Sequence, residues 1–178
     1  WSFLKILEFQ IPFIDKLLSS ADDLIDFFRI GDDFGSQEGL LISIDMFDRF
    51  FKPAFKAMVD VAKEHHAYYY QHSCGSVADL IPSLLDIGLD VLDPIQVKAA
   101  GMEPAKLKEK YGDILCFSGG VDEQELLPKG TPEEVHDGVL QLLNIMAPEG
   151  GFFIGSTHNF QVDIPTENII AMYKAAAE

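Results

Sequence analysis

The residues Gln71-His72-Ser73-Cys74-Gly75 follow an aromatic run, Ala67-Tyr68-Tyr69-Tyr70, that is typical of a β-strand. In an extended backbone, residues two apart project to the same side, so the His72 imidazole and the Cys74 thiol are predicted neighbours at a strand end. Both groups are zinc ligands, and a strand end of this kind offers them to one metal ion. Taken alone, the pair fits a hydrogen-bonded histidine beside an inert small cysteine equally well.

The composition predicts one acidic globular domain. Of the 178 residues, 48% are hydrophobic and 24% are charged, enough for a sizeable core. The formal net charge of -16 disfavours partners such as nucleic acid and anionic membrane surfaces. Two cysteines, Cys74 and Cys116, give no disulfide framework, so we expect a cytoplasmic protein. We find no apolar run long enough to span a membrane and no signal peptide.

Strands and helices are predicted to alternate along the chain. The predicted strands are 26–30, 67–72, 90–95, 114–118 and 151–155, and the predicted helices are 1–25, 45–64, 76–86, 104–111, 131–146 and 166–177. This alternation predicts an α/β fold with a parallel sheet and right-handed crossovers.

Local signals set several helix ends. Ser43 is a predicted N-cap, Ser76 and Asp79 suggest a capping box, and Thr131 to Glu134 form a strong helix start. In the predicted helix 45–64, the periodicity of the apolar residues indicates a buried side. Its members are Phe47, Phe50, Phe51, Phe55, Met58, Val59 and Ala62.

Polar side chains follow each predicted strand. In order, these are Asp32 and Asp33, His72 and Cys74, Gln96, Asp122, and His158. The carboxyl ends of parallel strands build the active site of α/β proteins, so we expect these side chains at one edge of the sheet. Gly31 to Gly35 and Gly119-Gly120 are too short for a phosphate-binding fingerprint. Part of a (β/α) barrel therefore fits better than a nucleotide-binding Rossmann fold.

Five strings of residues resemble the uroporphyrinogen decarboxylase superfamily, in its order and spacing. They are Arg29 to Gln37, His72 to Ser76, Asp93 to Gln96, Gly119 to Asp122, and His158 to Asn168. The superfamily has a TIM-type barrel about twice this length. The resemblance implies that residues 1–178 are a single partial barrel domain of about five βα units, the C-terminal part. Its open edge must then be covered by the N-terminal half or by another chain.

The superfamily includes porphyrinogen decarboxylases and zinc-dependent methyltransferases that work with corrinoid proteins. In the methyltransferase branch, a His-x-Cys pair and a third ligand after the last strand bind Zn²⁺. His72 and Cys74 match the pair, and the third position falls at or next to His158, where the family usually has cysteine. Cys116 is predicted to be packed in the core instead. The resemblance also implies a corrinoid carried by a partner protein.

The remaining polar residues are assigned to catalysis or to substrate binding. Asp32 and Asp122 are the predicted catalytic residues, and either Asp32 or Asp33 is an alternative hydrogen-bond acceptor behind the metal ligands. Turn formation is the alternative role for Asp122 and Asn159. The predicted substrate-binding residues are Asp33, Gln37, Gln96, Asn159 and Gln161.

Three functions remain open at this point. The first is a corrinoid-linked methyltransferase in which zinc activates a thiol or a methyl donor. The second is a decarboxylase of a porphyrinogen-like carboxylated substrate, which needs no metal. The third is a barrel fragment without catalytic activity.

Overall fold

Five parallel strands form one sheet, in chain order, in a computed structural model that describes residues 2–22 and 24–178. The strands are β1 (Phe27–Gly31), β2 (Tyr68–His72), β3 (Val91–Asp93), β4 (Cys116–Val121) and β5 (Phe152–Ser156). The helices are α1 (Ser2–Ser20), α2 (Ile44–Met46), α3 (Lys52–Glu64), α4 (Ile81–Leu85), α5 (Pro104–Tyr111), α6 (Leu126–Lys129), α7 (Pro132–Met146) and α8 (Thr166–Ala175). The predicted α/β alternation and parallel sheet are confirmed, and the arrangement is that of part of a (β/α) barrel.

The two faces of the sheet differ in what covers them. The side chains of Tyr69, Leu92 and Phe117 are fully buried in the hydrophobic core on the face against which the helices pack. Their sequence neighbours project from the opposite face, as the alternation of a strand requires. We call this second side the open face. It carries Phe27, Arg29, Tyr68, Tyr70, His72, Asp93, Ser118 and Phe153.

The first two predicted helices differ from the observed ones. Helix α1 ends at Ser20, and residues 1 and 23 of the predicted helix lie outside the described residues. The predicted helix 45–64 is divided by a π-helical segment, Phe47–Phe51. This wide turn shifts the periodicity, so Phe50 is 47% exposed rather than buried. No described helix combines the length and the apolarity that crossing a bilayer requires.

One predicted helix start is wrong and another is confirmed. The Ser76 hydroxyl donates to the carbonyl of Ala100 at 2.6 Å, and the helix begins without a side-chain cap in a 3₁₀ turn at Ala78–Leu80. At α7, by contrast, Thr131 accepts from the Glu134 N–H while Glu134 accepts from the Thr131 N–H, a complete capping box.

Strand β4 begins and ends later than predicted. It passes through Gly119 and Gly120, which have φ angles of +87° and +92° that favour glycine. Cys116 is therefore the first residue of the strand and is half-buried, not a core residue near the strand end. It lies at the edge of the sheet opposite to that of His72, because all five strands run in parallel.

The loops after β1 and β2 touch through two glycines. A Cβ atom on Gly75 would lie 2.5 Å from the Gly35 carbonyl carbon, so only glycine allows this backbone approach. The Ser76 N–H donates to the Ser36 carbonyl at 2.7 Å across the same contact. Backbone packing thus holds the two loops together directly beside the His72 and Cys74 pair.

Replacing Gly75 with alanine is expected to lower the free energy of unfolding of the full-length protein by about 2 kcal/mol or more. The new methyl group would clash with Gly35, and the φ of +85° is unfavourable for alanine. Urea unfolding measures the change. Gly39→Ala is the matched control, because nothing lies within 4 Å of a Cβ there. Equal stability of the two variants would contradict the packing described.

Candidate metal centre

Three potential metal ligands converge where β1 and β2 end. The Nε2 atom of His72 lies 3.6 Å from the Cys74 Sγ and 3.6 Å from the Asp33 Oδ1. One ligand atom from each residue lies within 4.8 Å of the other two. Among the residues that the structure describes, these three are the group of His, Cys, Asp or Glu side chains that is close enough to hold a metal ion. Strand alternation brings His72 and Cys74 together, and the Cys74 N–H donates to the Asp33 Oδ1 at 2.9 Å.

The spacing of these atoms suits a tetrahedral zinc ion. Zinc bonds of about 2.0–2.3 Å at tetrahedral angles place ligand atoms about 3.3–3.8 Å apart. The 3.6 Å between His72 Nε2 and the Cys74 Sγ matches a nitrogen and a sulfur ligand, and the 3.6 Å to the Asp33 Oδ1 is within about 0.3 Å of the spacing of a nitrogen and an oxygen ligand. The three ligand atoms all lie within 4.8 Å of one another. Thiolate, imidazole and carboxylate are all accepted zinc ligands, and three protein ligands leave one position open. The residues present therefore fit the zinc ion that the resemblance to the superfamily implies.

Asp93 fixes the orientation of the His72 ring. Its Oδ2 accepts a hydrogen bond from His72 Nδ1 at 2.9 Å, which leaves Nε2 facing Asp33 and Cys74. The Asp93 hydrogen bond, followed by that of Cys74, raises the pKa of His72 to about 9. A carboxylate behind a metal-binding histidine selects its tautomer and increases its basicity.

Asp93 is itself held by hydroxyl groups on the open face. Burial works against its ionisation, but hydrogen bonds with His72, Ser118 and Tyr70 keep the pKa of Asp93 below its ordinary value. The Tyr70 hydroxyl donates to Ser118 Oγ at 2.7 Å, and burial raises the pKa of Tyr70 to about 12. A network across β2, β3 and β4 therefore supports the His72 ring.

Two cavities meet at the cluster. The first, of about 740 Å³, is lined by His72 and Asp93, and we call it the His72 cavity. The second, of about 710 Å³, is lined by Cys74, and we call it the Cys74 cavity. Asp33 and His158 line both cavities. His158 is exposed and is not one of the three clustered ligands, so its role as a ligand stays a prediction.

The predicted substrate-binding residues are distributed over the two cavities. Gln37, Gln96 and Gln161 line the Cys74 cavity, and Asn159 lines the His72 cavity. The Gln96 Oε1 accepts from the Gly75 N–H at 2.7 Å, so this side chain also supports the loop that bears Cys74. The Gln161 amide donates to the Asn159 carbonyl at 3.0 Å.

The two predicted catalytic carboxylates have different surroundings. Asp32 lines the His72 cavity, and partial burial, then the neighbouring Asp33, raises the pKa of Asp32. Asp122 is buried, and its two oxygens accept from the N–H groups of Gln124 and Leu126 at 2.9 and 3.3 Å. Its side chain thus forms the turn after β4, and it is not among the described residues that line the two cavities.

Two residues of the site were not predicted. Gln96 was predicted as the polar residue at the end of β3, but the strand ends three residues earlier, at Asp93. Asp93 could have been predicted from its position as an acidic residue at the end of an apolar strand. In the sheet it pairs in register with His72. Arg29 lies on the open face, with its Nη2 3.4 Å from the Asp93 Oδ2. Arg29 opens the first of the five strings that resemble the superfamily, but its place within a strand did not indicate a role in the site.

Comparisons with known proteins agree with this fold. The family described as "Uroporphyrinogen decarboxylase (URO-D)" matches residues 5–178. The "Methylated-thiol--coenzyme M methyltransferase" of Methanosarcina mazei is 26% identical over 145 residues, which are 80% of this chain and 36% of that protein. The solved structure of a "methyltransferase from Methanosarcina mazei" has a TM-score of 0.70 at 22% identity, over 96% of this chain and 46% of that one. The chain therefore spans less than half the length of either relative.

In metal-free protein, Asp93→Asn is expected to lower the pKa of His72 from about 9 toward the ordinary value of 6.5. Protonated His72 stabilises the folded state below about pH 6.5, and this contribution is lost as the pH rises through about 9. Nuclear magnetic resonance titration of the imidazole protons, assigned with a His72→Gln variant, measures the pKa. An unchanged value in Asp93→Asn would show that Asp93 does not set the protonation of His72.

Proposed function

The chain belongs to the uroporphyrinogen decarboxylase family, and we propose that it is part of a zinc-dependent methyltransferase that exchanges methyl groups with a corrinoid. The observation that carries the proposal is the convergence of Asp33, His72 and Cys74, whose ligand atoms all lie within 4.8 Å of one another. The methyltransferases among its relatives support the same class of reaction at low identity. A decarboxylase that needs no metal would leave these three side chains without a role.

The whole protein is longer than this chain. We propose that residues 1–178 form a single partial barrel domain, completed by the N-terminal half of the barrel. The partial coverage of both relatives supports this view. The corrinoid would arrive on a partner protein at the carboxyl edge of the sheet, where both cavities lie. The cytoplasm is the proposed location.

We propose that His72, Cys74 and Asp33 are the zinc ligands. His158, which lines both cavities, is a further candidate ligand. Zinc bound there would supply Lewis acidity, which lowers the pKa of a thiol or polarises a methyl donor in the open position. The carboxylate of Asp33 and the thiolate of Cys74 would offset the charge of the ion.

The protein groups around the ligands prepare them for this role. Asp93 holds the His72 ring in one tautomer, and the partly buried hydrogen bonds behind Asp93 limit its rotation. Gln96 holds the Gly75 N–H and thereby the loop that carries Cys74. We assign Asp32 as the catalytic carboxylate, because its raised pKa suits a group that takes up the proton of an incoming thiol. Gln37, Asn159 and Gln161 would orient the substrate.

Full-length protein is expected to bind about one zinc ion per chain, measured by plasma mass spectrometry after dialysis. Cys74→Ser and His72→Ala should each abolish retention of the metal, because two strong ligands are then too few. Asp33→Asn removes the charge but keeps an acceptor for the Cys74 N–H, so zinc affinity should fall while some binding remains, because an uncharged amide oxygen is a poorer ligand than a carboxylate. We expect His158→Ala to have the smaller effect.

Cys116→Ser is the matched control, since Cys116 lies at the opposite edge of the sheet and should leave zinc binding unchanged. Metal-free protein with full activity, or release of carbon dioxide that survives chelation and Cys74→Ser, would contradict the methyltransferase proposal. A larger loss of zinc in His158→Ala than in Asp33→Asn would replace Asp33 by His158 as the third ligand.

A further inference from the structure

We propose that Glu123 is a positioning residue that holds the loop between β5 and α8 beside the Cys74 cavity. We call residues 158–163 of this loop the rim loop, because members of it line both cavities. In the closed loop, the Glu123 carboxylate accepts hydrogen bonds from the backbone N–H groups of His158 and Gln161. The consequence for substrate binding rests on the proposed function, because the rim loop carries proposed substrate-binding residues.

Both carboxylate oxygens of Glu123 are enclosed by the chain. Almost none of their surface reaches solvent, and neither oxygen has a hydrogen-bond partner among the described residues. A buried acceptor without a donor is destabilising, and a charged one is more so. Completing the barrel adds atoms around this carboxylate but does not uncover it, so its missing partners are sought in the loops that already enclose it.

The rim loop presents backbone donors to this carboxylate. Burial raises the pKa of Glu123, whereas the nearby His158 ring and the N–H groups of His158 and Gln161 act in the opposite direction. These N–H groups therefore lie close to the carboxylate, although neither completes a hydrogen bond to it in the described chain. A small movement of the rim loop toward Glu123 would complete both bonds.

The rim loop is anchored at its two ends. Thr157 and Ile164 are buried, and the six residues between them are exposed. The Thr157 N–H donates to the Val121 carbonyl at 3.0 Å. The hydrogen bonds that residues 158–163 form among the described residues stay within 156–164. The rim loop can therefore move toward Glu123 without breaking a hydrogen bond to the sheet.

The loops after β2 and β3 are already joined in the way that we assign to Glu123. There, the Gln96 Oε1 of one loop accepts from the Gly75 N–H of its neighbour at 2.7 Å. Between the loops after β4 and β5, the base is joined, because the Glu123 N–H donates to the Thr157 Oγ1 at 3.3 Å. Closure of the rim loop onto the Glu123 carboxylate would extend this junction toward the cavities.

Closure of the rim loop would fix several side chains of the site together. His158 lines both cavities, Asn159 lines the His72 cavity, and Gln161 lines the Cys74 cavity. A ligand that contacts these groups in their closed arrangement shifts the loop toward that state. Glu123 would thereby increase the affinity for substrate without touching it.

Amide hydrogen exchange of the full-length protein, read at single residues by mass spectrometry, tests the inference. We expect the N–H groups of His158 and Gln161 to exchange about 10- to 100-fold faster in Glu123→Ala than in the wild type, the range of a hydrogen bond to a charged group. Glu123→Gln keeps one acceptor oxygen without the charge, so its exchange rates should be intermediate. Zinc-loaded Glu123→Ala should also bind 2-mercaptoethanol more weakly, by up to the same factor, in isothermal titration.

Glu125→Ala is the matched control, because Glu125 lies two residues further along the chain, is exposed and pairs with Lys129 at 2.7 Å. It should change neither exchange nor affinity. Equal exchange in the wild type and Glu123→Ala would overturn the assignment, as would faster exchange with unchanged affinity for 2-mercaptoethanol. Equal acceleration at the Thr157 N–H, which is bonded to Val121, would also overturn it, in favour of a general loss of stability.

Measurements on zinc-loaded and on chelated protein separate this inference from the proposed function. The groups that form the junction belong to this chain, so the effect of Glu123→Ala on exchange should appear in both samples. Protein that retains no zinc but shows this effect would contradict the metal site and support the role of Glu123. Protein that retains zinc but whose exchange is unchanged in Glu123→Ala would contradict the role of Glu123 alone.

Discussion

The site depends on a backbone contact between two glycines. Gly35 and Gly75 approach so closely that a Cβ on either residue would fall within 2.8 Å of backbone atoms of the other loop. This contact brings the loop after β1 onto the loop after β2, where the Cys74 N–H meets the Asp33 carboxylate. An acidic ligand from one strand end thereby joins an imidazole and a thiol from the next. Side chains any larger than glycine would separate the three groups.

Two neighbouring strands of the sheet hold the His72 ring in place. His72 is the last residue of β2 and pairs in register with Asp93, the last residue of β3. The hydrogen bond between them continues to Ser118 and Tyr70 on the open face, while Tyr69 and Leu92 anchor the same strands in the core. Groups held on strands by buried partners keep their geometry better than groups on loops alone.

The sequence alone predicted the part of the site that depends on local backbone geometry. The spacing of His72 and Cys74, together with the period of a strand, placed two ligands side by side. Asp33 was predicted as a substrate-binding residue or as a hydrogen-bond acceptor behind the metal ligands. It was not predicted as a ligand, because its approach to Cys74 results from a contact between loops distant in sequence. Asp93 was missed because β3 ends earlier than its apolar run suggested. Phe50 was misplaced because a π-helical turn interrupts a regular periodicity.

We propose that a single cysteine, one histidine and a carboxylate bind zinc in this protein. Zinc X-ray absorption spectroscopy on dialysed full-length protein, without added thiol, tests it most directly. We expect one sulfur neighbour at about 2.3 Å and nitrogen or oxygen neighbours at about 2.0–2.2 Å. A spectrum with two or more sulfur neighbours, or with oxygen neighbours only, would contradict it.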